Sequence, residues 1–219
     1  MNNLIQKIYL NHKNFWIKHN VLVFFEGVLF FAVALVIQHF AYGYIDNRAS
    51  VTAVGDLFLD NLPTVKLDFF IVQGALFSSF VVIVLFFTKP KYLPFSLKTL
   101  ALFIIARSFF ISLTHLGADL NQLTLNINSI GFGMYDFLYN GKNDFFFSGH
   151  VGATFLFALI AWKEFPLRVF FLVTSGIFGA SMLLAHMHYS IDVFAAPLIT
   201  YSIFVISKKV FENDFELTK

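Results

Sequence analysis

Six long apolar runs constrain the fold of this chain more than any other feature of its sequence. Each run is close to the ~20 residues that a helix needs to cross the hydrocarbon core of a bilayer, and none alternates as a half-exposed strand would. The runs cover residues 21–42, 69–88, 99–117, 145–162, 167–187 and 189–207. Hydrophobic residues make up 58% of the 219 residues, and charged residues only 13%. We therefore predict an all-α polytopic membrane protein, built as a bundle of six transmembrane helices.

The segments outside these runs define the predicted domain organisation. Residues 1–20 mix apolar with basic side chains, which is typical of a segment lying at the membrane interface. We expect a six-span membrane domain over 21–208 and a cytoplasmic tail over 209–219. The first apolar run is longer than the apolar core of a signal peptide, about 7–15 residues, so we expect it to be a retained first span. The chain has no cysteine, which excludes disulfides and thiolate chemistry, and its net charge of +2 gives no reason to expect nucleic acid.

Basic residues predict how the bundle is oriented. Six spans place both termini on one side of the membrane, and that side carries eleven of the 15 lysines and arginines. These are Lys7, Lys13, Lys18, Lys89, Lys91, Lys98, Lys163, Arg168, Lys208, Lys209 and Lys219. The opposite loops carry three, Arg48, Lys66 and Lys142, while Arg107 lies inside the third run. The positive-inside rule then places both termini in the cytoplasm and the long loops 43–68 and 118–144 outside, with a bacterial inner membrane as the expected location.

Two short segments place ionisable side chains at the predicted outer ends of apolar runs. Ser148-Gly149-His150 opens the fourth run, and residues 186–193, His-Met-His-Tyr-Ser-Ile-Asp-Val, span the turn between the fifth and sixth runs. Ionisable groups at membrane depth are energetically costly and usually mark a functional site. Because both segments fall on the same predicted face, we expect one site there.

The second segment predicts a nucleophilic histidine. His188 and Asp192 are four residues apart, a spacing that puts both on one helical face if the sixth helix begins early enough. A carboxylate bound to one ring nitrogen orients the imidazole and leaves the other nitrogen free to attack. His150 can then protonate the leaving oxygen. This trio indicates phosphoryl transfer through a histidine.

Phosphoryl transfer also needs positive charge and donors around the phosphate oxygens. Arg107, near the middle of the third run, offers a planar fork that matches a phosphate. Ser148 and the amides around Gly149, at the start of the fourth helix, offer further donors at a positive helix end. We therefore predict that these three residues bind the substrate phosphate.

The motifs together resemble a known family. Asp144 followed by Ser148-Gly149-His150, the stretch 184–193, and Arg107 with Thr114 seven residues on are similar to the sphingomyelin synthase branch of the phosphatidic acid phosphatase type 2 (PAP2) superfamily. The resemblance implies a six-span PAP2-like fold with His188 as the nucleophile, Asp192 as its partner and His150 as the acid and base. It further implies transfer of a phospho-head-group from a phospholipid donor to a lipid alcohol such as ceramide or diacylglycerol, without a cofactor or a metal.

The chain departs from the wider superfamily in two respects. The superfamily's opening signature, a lysine followed by an arginine-proline pair, is absent from this chain. In its third motif, the superfamily has an arginine six residues before the nucleophilic histidine, and this chain has Met182 there. Arg107 must therefore supply the phosphate charge, as the synthase branch implies. A lipid phosphatase that uses water as the acceptor is the alternative, and a non-catalytic transporter-like protein is the second.

Four more residues are candidates for supporting the site: Asp144, His186, His115 and Tyr189. Each also has a structural interpretation. Asp144 can cap the fourth helix, Tyr189 can be an aromatic residue of the membrane interface, and His186 can serve in packing. His115 is expected two turns beyond Arg107 on the same helical stripe.

Two further interpretations concern glycines and metal. Gly149 and Gly152 also have a structural interpretation, as positions where neighbouring helices pack closely. His150, His186, His188 and Asp192 offer a possible zinc set, but His186 and His188 lie two apart across a turn, and phosphohistidine chemistry needs no metal.

The basic-residue asymmetry yields a topology prediction. A reporter fused after Lys219 should be cytoplasmic, and one inserted near Asn128 should be external, because eleven basic residues flank one side and three the other. Reporter activity on the two sides of the membrane measures this. If both reporters are found on the same side, the six-span arrangement is wrong.

Overall fold

The computed structural model describes residues 2–48, 53–139 and 144–219, and Lys142 of the predicted outer loop lies outside this range. The described residues form helices and connecting loops, without a strand, so the predicted all-α class is confirmed. The helices are α1 (Asn2–Phe15), α2 (Lys18–Asp46), α3 (Gly74–Thr88), α4 (Leu93–Leu113), α5 (Phe132–Tyr139), α6 (Gly149–Ile160), α7 (Phe165–Leu184), α8 (Ser190–Val210) and α9 (Glu212–Thr218). A π-helical turn, Phe69–Gln73, leads into α3, and a 3₁₀ turn, Pro90–Tyr92, leads into α4.

Five helical segments of the described chain are long and apolar enough to cross a membrane. They are Lys18–Asp46, Phe69–Thr88, Pro90–Leu113, Phe165–Leu184 and Ser190–Val210. The sixth predicted span corresponds to α6, which has 12 residues and is shorter than a full crossing requires. The apolar helices support an integral membrane protein with five full-length helices and a shorter sixth.

Residues 144–148 explain why α6 is short. This segment was predicted to be largely helical, but it runs without regular structure to Ser148, the residue before the helix. The Phe147 carbonyl accepts a hydrogen bond from Arg107 at 3.0 Å, so the backbone here serves a tertiary contact instead of a helical one. The helix consequently begins four residues later than the apolar run.

Helix α4 differs from its prediction at both ends. It begins at Leu93, six residues early, because Pro94 is well suited to the first turn of a helix. It ends at Leu113 because Thr114 is extended, with its hydroxyl 3.3 Å from the Phe145 carbonyl. His115 therefore lies beyond the helix, and the expectation that it shares a helical stripe with Arg107 is wrong.

The helices around the site pack closely where α6 meets α4 and α8. At Gly152, an added Cβ would lie 2.8 Å from the Phe103 ring and 2.9 Å from the Thr200 hydroxyl. The interpretation of this glycine as a point of close packing is confirmed. The Ser148 amide also donates to the Asp192 carbonyl at 3.0 Å, so the N-terminal ends of α6 and α8, which carry His150 and Asp192, lie side by side.

The two terminal helices pack against the other end of the bundle. Asn11 of α1 donates a hydrogen bond to the Thr88 carbonyl at 2.8 Å. Within the predicted tail, α9 is held by an ion pair of 2.7 Å between Asp214 and Lys98 of α4. The C-terminal segment is therefore a packed helix.

Replacing Gly152 by alanine should destabilise the bundle. The new Cβ overlaps Phe103 and Thr200, and overpacking of this kind costs about 1–3 kcal/mol. The matched control is Gly176→Ala in α7, where an added Cβ meets nothing within 4 Å and alanine favours the helix. The thermal unfolding midpoint of the purified protein should fall for Gly152→Ala and hold or rise for Gly176→Ala. Equal midpoints would contradict the packing argument.

Candidate active site

Arg107 is buried at the centre of a hydrogen-bonded group that joins three parts of the chain. Its Nη2 donates to both carboxylate oxygens of Asp144, each at 2.8 Å, and its Nε donates to the Phe147 carbonyl at 3.0 Å. The Tyr42 hydroxyl of α2 donates to the same carboxylate at 3.0 Å. Asp144 is thus the partner of Arg107, and the proposed cap on α6 is not formed, since that helix has no side-chain cap.

The remaining face of the guanidinium lies against the start of α6. An added Cβ at Gly149 would be 2.9 Å from Nη1 of Arg107, so only glycine allows this approach. In the described part of the chain, Nη1 has no hydrogen-bond partner. Arg107 therefore holds Asp144 with one side of its fork and keeps one nitrogen available to a ligand.

Ser148 links the two predicted motifs. Its amide donates to the Asp192 carbonyl at 3.0 Å, which joins the start of α6 to the first turn of α8. Its hydroxyl is buried and has no partner among the described residues. The amides that follow, at Gly149 and His150, belong to the first helical turn and have no acceptor within the helix. The hydroxyl and these amides are the donors that this end of α6 can offer to a phosphate.

His188 and Asp192 are brought together as the sequence predicts, but by a different route. Nδ1 of His188 is 3.2 Å from Oδ2 of Asp192. Because α8 begins at Ser190, His188 precedes the helix, and the condition for a shared helical face, an earlier start of the sixth helix, is not met. The fully buried Asp192 instead reaches back, since its Oδ2 also accepts the Tyr189 amide at 3.1 Å.

The carboxylate decides which nitrogen of His188 carries the proton. Asp192 accepts at Nδ1, so the neutral ring holds its hydrogen there and presents a lone pair at Nε2. Within the described residues, Nε2 makes no hydrogen bond. The other oxygen of Asp192, Oδ1, is buried without a partner among those residues. The pair therefore has the arrangement of an oriented base with one free nitrogen.

His150 is enclosed by aromatic residues of α5, which sequence reasoning missed. Its Nε2 is 3.1 Å from the Tyr135 hydroxyl, and its ring stacks on Tyr139 with 5.1 Å between centroids. Burial raises the pKa of Tyr135 above its usual value, so the phenol stays neutral. The charges of Arg107 and Asp144 also act on His150. The sequence signal that identifies these two residues is their four-residue spacing, which places both tyrosines on one helical face.

His186 occupies an unusual backbone position just before His188. It has φ +53°, a left-handed conformation that favours glycine, immediately after α7. Its amide donates to the Leu183 carbonyl at 3.0 Å, and the Met187 amide donates to the Met182 carbonyl at 2.9 Å. These two bonds close the C-terminal end of α7 as a Schellman motif. A histidine at this position indicates that its side chain has a role.

That role is to bind the two outer loops. Nδ1 of His186 is 3.1 Å from Oδ1 of Asp119, and Nε2 is 3.3 Å from the Leu62 carbonyl. Both ring nitrogens therefore face acceptors of the outer loops instead of turning toward His188. In the part of the chain that the structure describes, no three histidine, aspartate or glutamate side chains are grouped as a metal would require.

The N-terminal end of α8 is fixed by a residue that the sequence did not single out. Asp56 accepts the Ser190 amide at 2.7 Å, and its other oxygen accepts the amides of Phe58 and Leu59. Burial opposes ionisation, but these amide hydrogen bonds hold the pKa of Asp56 below its usual value. Nothing in the sequence separated Asp56 from the other acidic residues of its loop.

Tyr189 and His115 take structural positions beside the site. Tyr189 is buried and its hydroxyl donates to the Gly117 carbonyl at 2.7 Å, so its interpretation as an aromatic residue of the membrane interface is wrong. The ring of His115 packs on Tyr44 with 5.6 Å between centroids. Its Nε2 is buried and has no partner within the described residues.

Comparison with known proteins supports one family. Residues 143–209 match the model described as PAP2 superfamily C-terminal. The matched region contains His150, His188 and Asp192, and it ends before α9. No curated protein and no solved structure matches the chain. The match supports the PAP2 superfamily and, in general terms, an enzyme with phosphatase-type activity on lipid phosphoesters, while the sphingomyelin synthase branch stays a prediction.

The geometry predicts that Arg107→Lys lowers activity by on the order of tenfold or more. Lysine keeps the charge, but its donors all leave one nitrogen and cannot replace the separate Nε, Nη2 and Nη1 positions of the guanidinium, of which the first two hold the Phe147 carbonyl and Asp144. Initial rates of the purified enzyme give the measurement. Arg168→Lys, at the far end of α7, is the matched control and should keep the wild-type rate. Full activity of Arg107→Lys, or of Arg107→Ala, would mean that another cation holds the phosphate.

Proposed function

We propose that this protein is an integral membrane lipid phosphotransferase that moves a phospho-head-group from a phospholipid donor to a lipid alcohol. The observation that carries the proposal is the pair in which Asp192 binds Nδ1 of His188 at 3.2 Å and leaves Nε2 free. The superfamily match supports chemistry on lipid phosphoesters in general. The phosphohistidine intermediate and the lipid acceptor are the finer part of the proposal.

In the first step, Nε2 of His188 attacks the phosphorus of the donor. The new P–N bond forms as the P–O bond to the donor's lipid alcohol breaks, and the leaving oxygen takes a proton from His150. Asp192 stabilises the positive charge that develops on the ring of His188. The neutral Tyr135, 3.1 Å from Nε2 of His150, holds that ring in place and can relay the proton.

In the second step, the hydroxyl of the acceptor lipid attacks the phosphohistidine. His150 now accepts the hydroxyl proton, the P–N bond breaks, and His188 returns to its starting state. Throughout, Nη1 of Arg107, the Ser148 hydroxyl and the first amides of α6 donate to the non-bridging oxygens. Each donor has no partner among the described residues, and this availability supports the assignment.

Limited water access favours a lipid alcohol over water as the acceptor. The side chain of His188 is only 9% exposed, and α5 with its two tyrosines covers His150. A site that excludes water suits an acceptor other than water, such as the hydroxyl of a membrane lipid. Hydrolysis by a lipid phosphatase is the second candidate, which the superfamily match favours. Lipid mass spectrometry separates them, because transfer yields a new phospholipid or phosphosphingolipid and hydrolysis yields phosphate or a phospho-alcohol.

The proposal predicts different losses for the two members of the His188–Asp192 pair. His188→Ala should abolish both turnover and labelling of the phosphoenzyme, because the attacking nitrogen is gone. Asp192→Asn should slow transfer by roughly two to four orders of magnitude, as when the orienting carboxylate of a catalytic triad is lost. His39→Ala, on the exposed face of α2, is the control and should behave as wild type. Phosphoenzyme labelling that survives His188→Ala would refute the assigned nucleophile.

The leaving group tests the role of His150. His150→Ala should be slow with a phospholipid donor and much less impaired with a nitrophenyl phosphodiester, whose leaving group needs no proton. Stopped-flow rates with both donors measure the difference. If the nitrophenyl donor rescues His188→Ala and not His150→Ala, the two histidines have the opposite roles. If it rescues neither, His150 does not act as the acid.

A further inference from the structure

A cavity with basic and amide side chains in its wall lies at the end of the bundle opposite His188, and we call it the basal cavity. It has a volume of about 420 Å³ and opens between α1, the turn before α4, the α6–α7 connection and α9. Its described lining includes the lysines Lys7, Lys89 and Lys91, the asparagines Asn11 and Asn14, and the acidic Glu164. Three cations thus face one anion in a space large enough for a phospholipid head group.

Among these lysines, the glutamate forms a close ion pair only with Lys89 in the described part of the chain. Glu164 forms an ion pair with Lys89 and accepts the Tyr92 hydroxyl at 3.2 Å. Burial opposes its ionisation, but the Lys89 ammonium holds the pKa of Glu164 below its usual value. Lys91 donates to the neutral Thr218 carbonyl at 2.9 Å. Lys7 has no ion pair within the described part of the chain, so two positive charges remain to be compensated.

Helix α1 places this charge at the lipid surface. Lys7, Asn11 and Asn14 lie on one stripe of the helix and line the cavity. On the other side, Ile5 and Tyr9 are exposed by 64% and 63%, although they are apolar. In a membrane protein, a helix with one polar stripe and exposed apolar residues lies in the interface plane. The basal cavity therefore opens at the depth of lipid head groups.

We propose that the basal cavity binds the phosphate of an anionic phospholipid from the leaflet around that end of the bundle. Phosphate oxygens accept hydrogen bonds from ammonium and amide N–H groups. Basic pockets at a membrane surface bind anionic head groups. The site is separated from His188 by the length of the bundle. It depends on neither the proposed reaction nor the assigned catalytic residues, and its occupant anchors α1, the α3–α4 turn and α9 together.

The test compares two lysines of α1 by native mass spectrometry of the full-length protein in a neutral detergent. Dioctanoyl phosphatidylglycerol should bind wild type, and dioctanoyl phosphatidylcholine should bind more weakly because it lacks the net negative charge. Lys7→Gln should weaken phosphatidylglycerol binding about fivefold, the effect of one lysine near an anionic head group. Lys13→Gln removes the same charge from an exposed position outside the cavity and should leave binding unchanged.

A second variant guards against an indirect effect of the first. Asn14→Asp keeps the side-chain shape but adds a negative charge to the cavity wall, and it should weaken phosphatidylglycerol binding as well. Equal affinities of the Lys7→Gln and Lys13→Gln variants would overturn the proposal, as would equal binding of the two lipids. If inorganic phosphate displaces phosphatidylglycerol at the same concentration, the cavity takes free phosphate, and the assignment to a lipid is wrong.

Discussion

The buried contact between Arg107 and Asp144 is the interaction on which the rest of the site depends. Removing two charges from water costs several kcal/mol each, and a buried charge left without its partner destabilises a protein by about 3–5 kcal/mol. The pair is tolerated because the Phe147 carbonyl and the Tyr42 hydroxyl complete its hydrogen bonds. Those same bonds hold residues 144–148 out of helical conformation. The start of α6, and with it Ser148 and His150, is therefore placed by an ion pair inside the bundle.

A second set of contacts places the nucleophile relative to that frame. The Ser148 amide bonds the Asp192 carbonyl, so the ends of α6 and α8 are connected directly. The carboxylate of Asp192 lies in the first turn of α8, where the positive helix end favours negative charge. One carboxylate oxygen thus orients His188 from the start of the helix. The histidine itself needs no helical conformation, which explains how it can precede α8 and still be held at Nδ1.

The sequence predicts the elements whose signals are local and misses those whose partners are distant. Apolar length locates the spans, and the His188–Asp192 spacing identifies a pair that does form. The end of α4 was misplaced because Thr114 leaves the helix to meet the Phe145 carbonyl, 31 residues away. Tyr42 was missed for the same reason, since it contacts a carboxylate 102 residues further along the chain. No periodicity within a run encodes such a contact.

The two ends of the bundle differ in charge for reasons that go beyond membrane orientation. At the end that carries His188, four aspartates are each engaged with a partner of the site or its loops: Asp56 with the Ser190 amide, Asp119 with His186, Asp144 with Arg107, and Asp192 with His188. Each carboxylate restrains a backbone end, a histidine ring or the Arg107 guanidinium. At the opposite end, lysines exceed their acidic partners around the basal cavity. The acidic excess at one end therefore results from assembly of the site, and the basic excess at the other leaves positive charge for a ligand to neutralise.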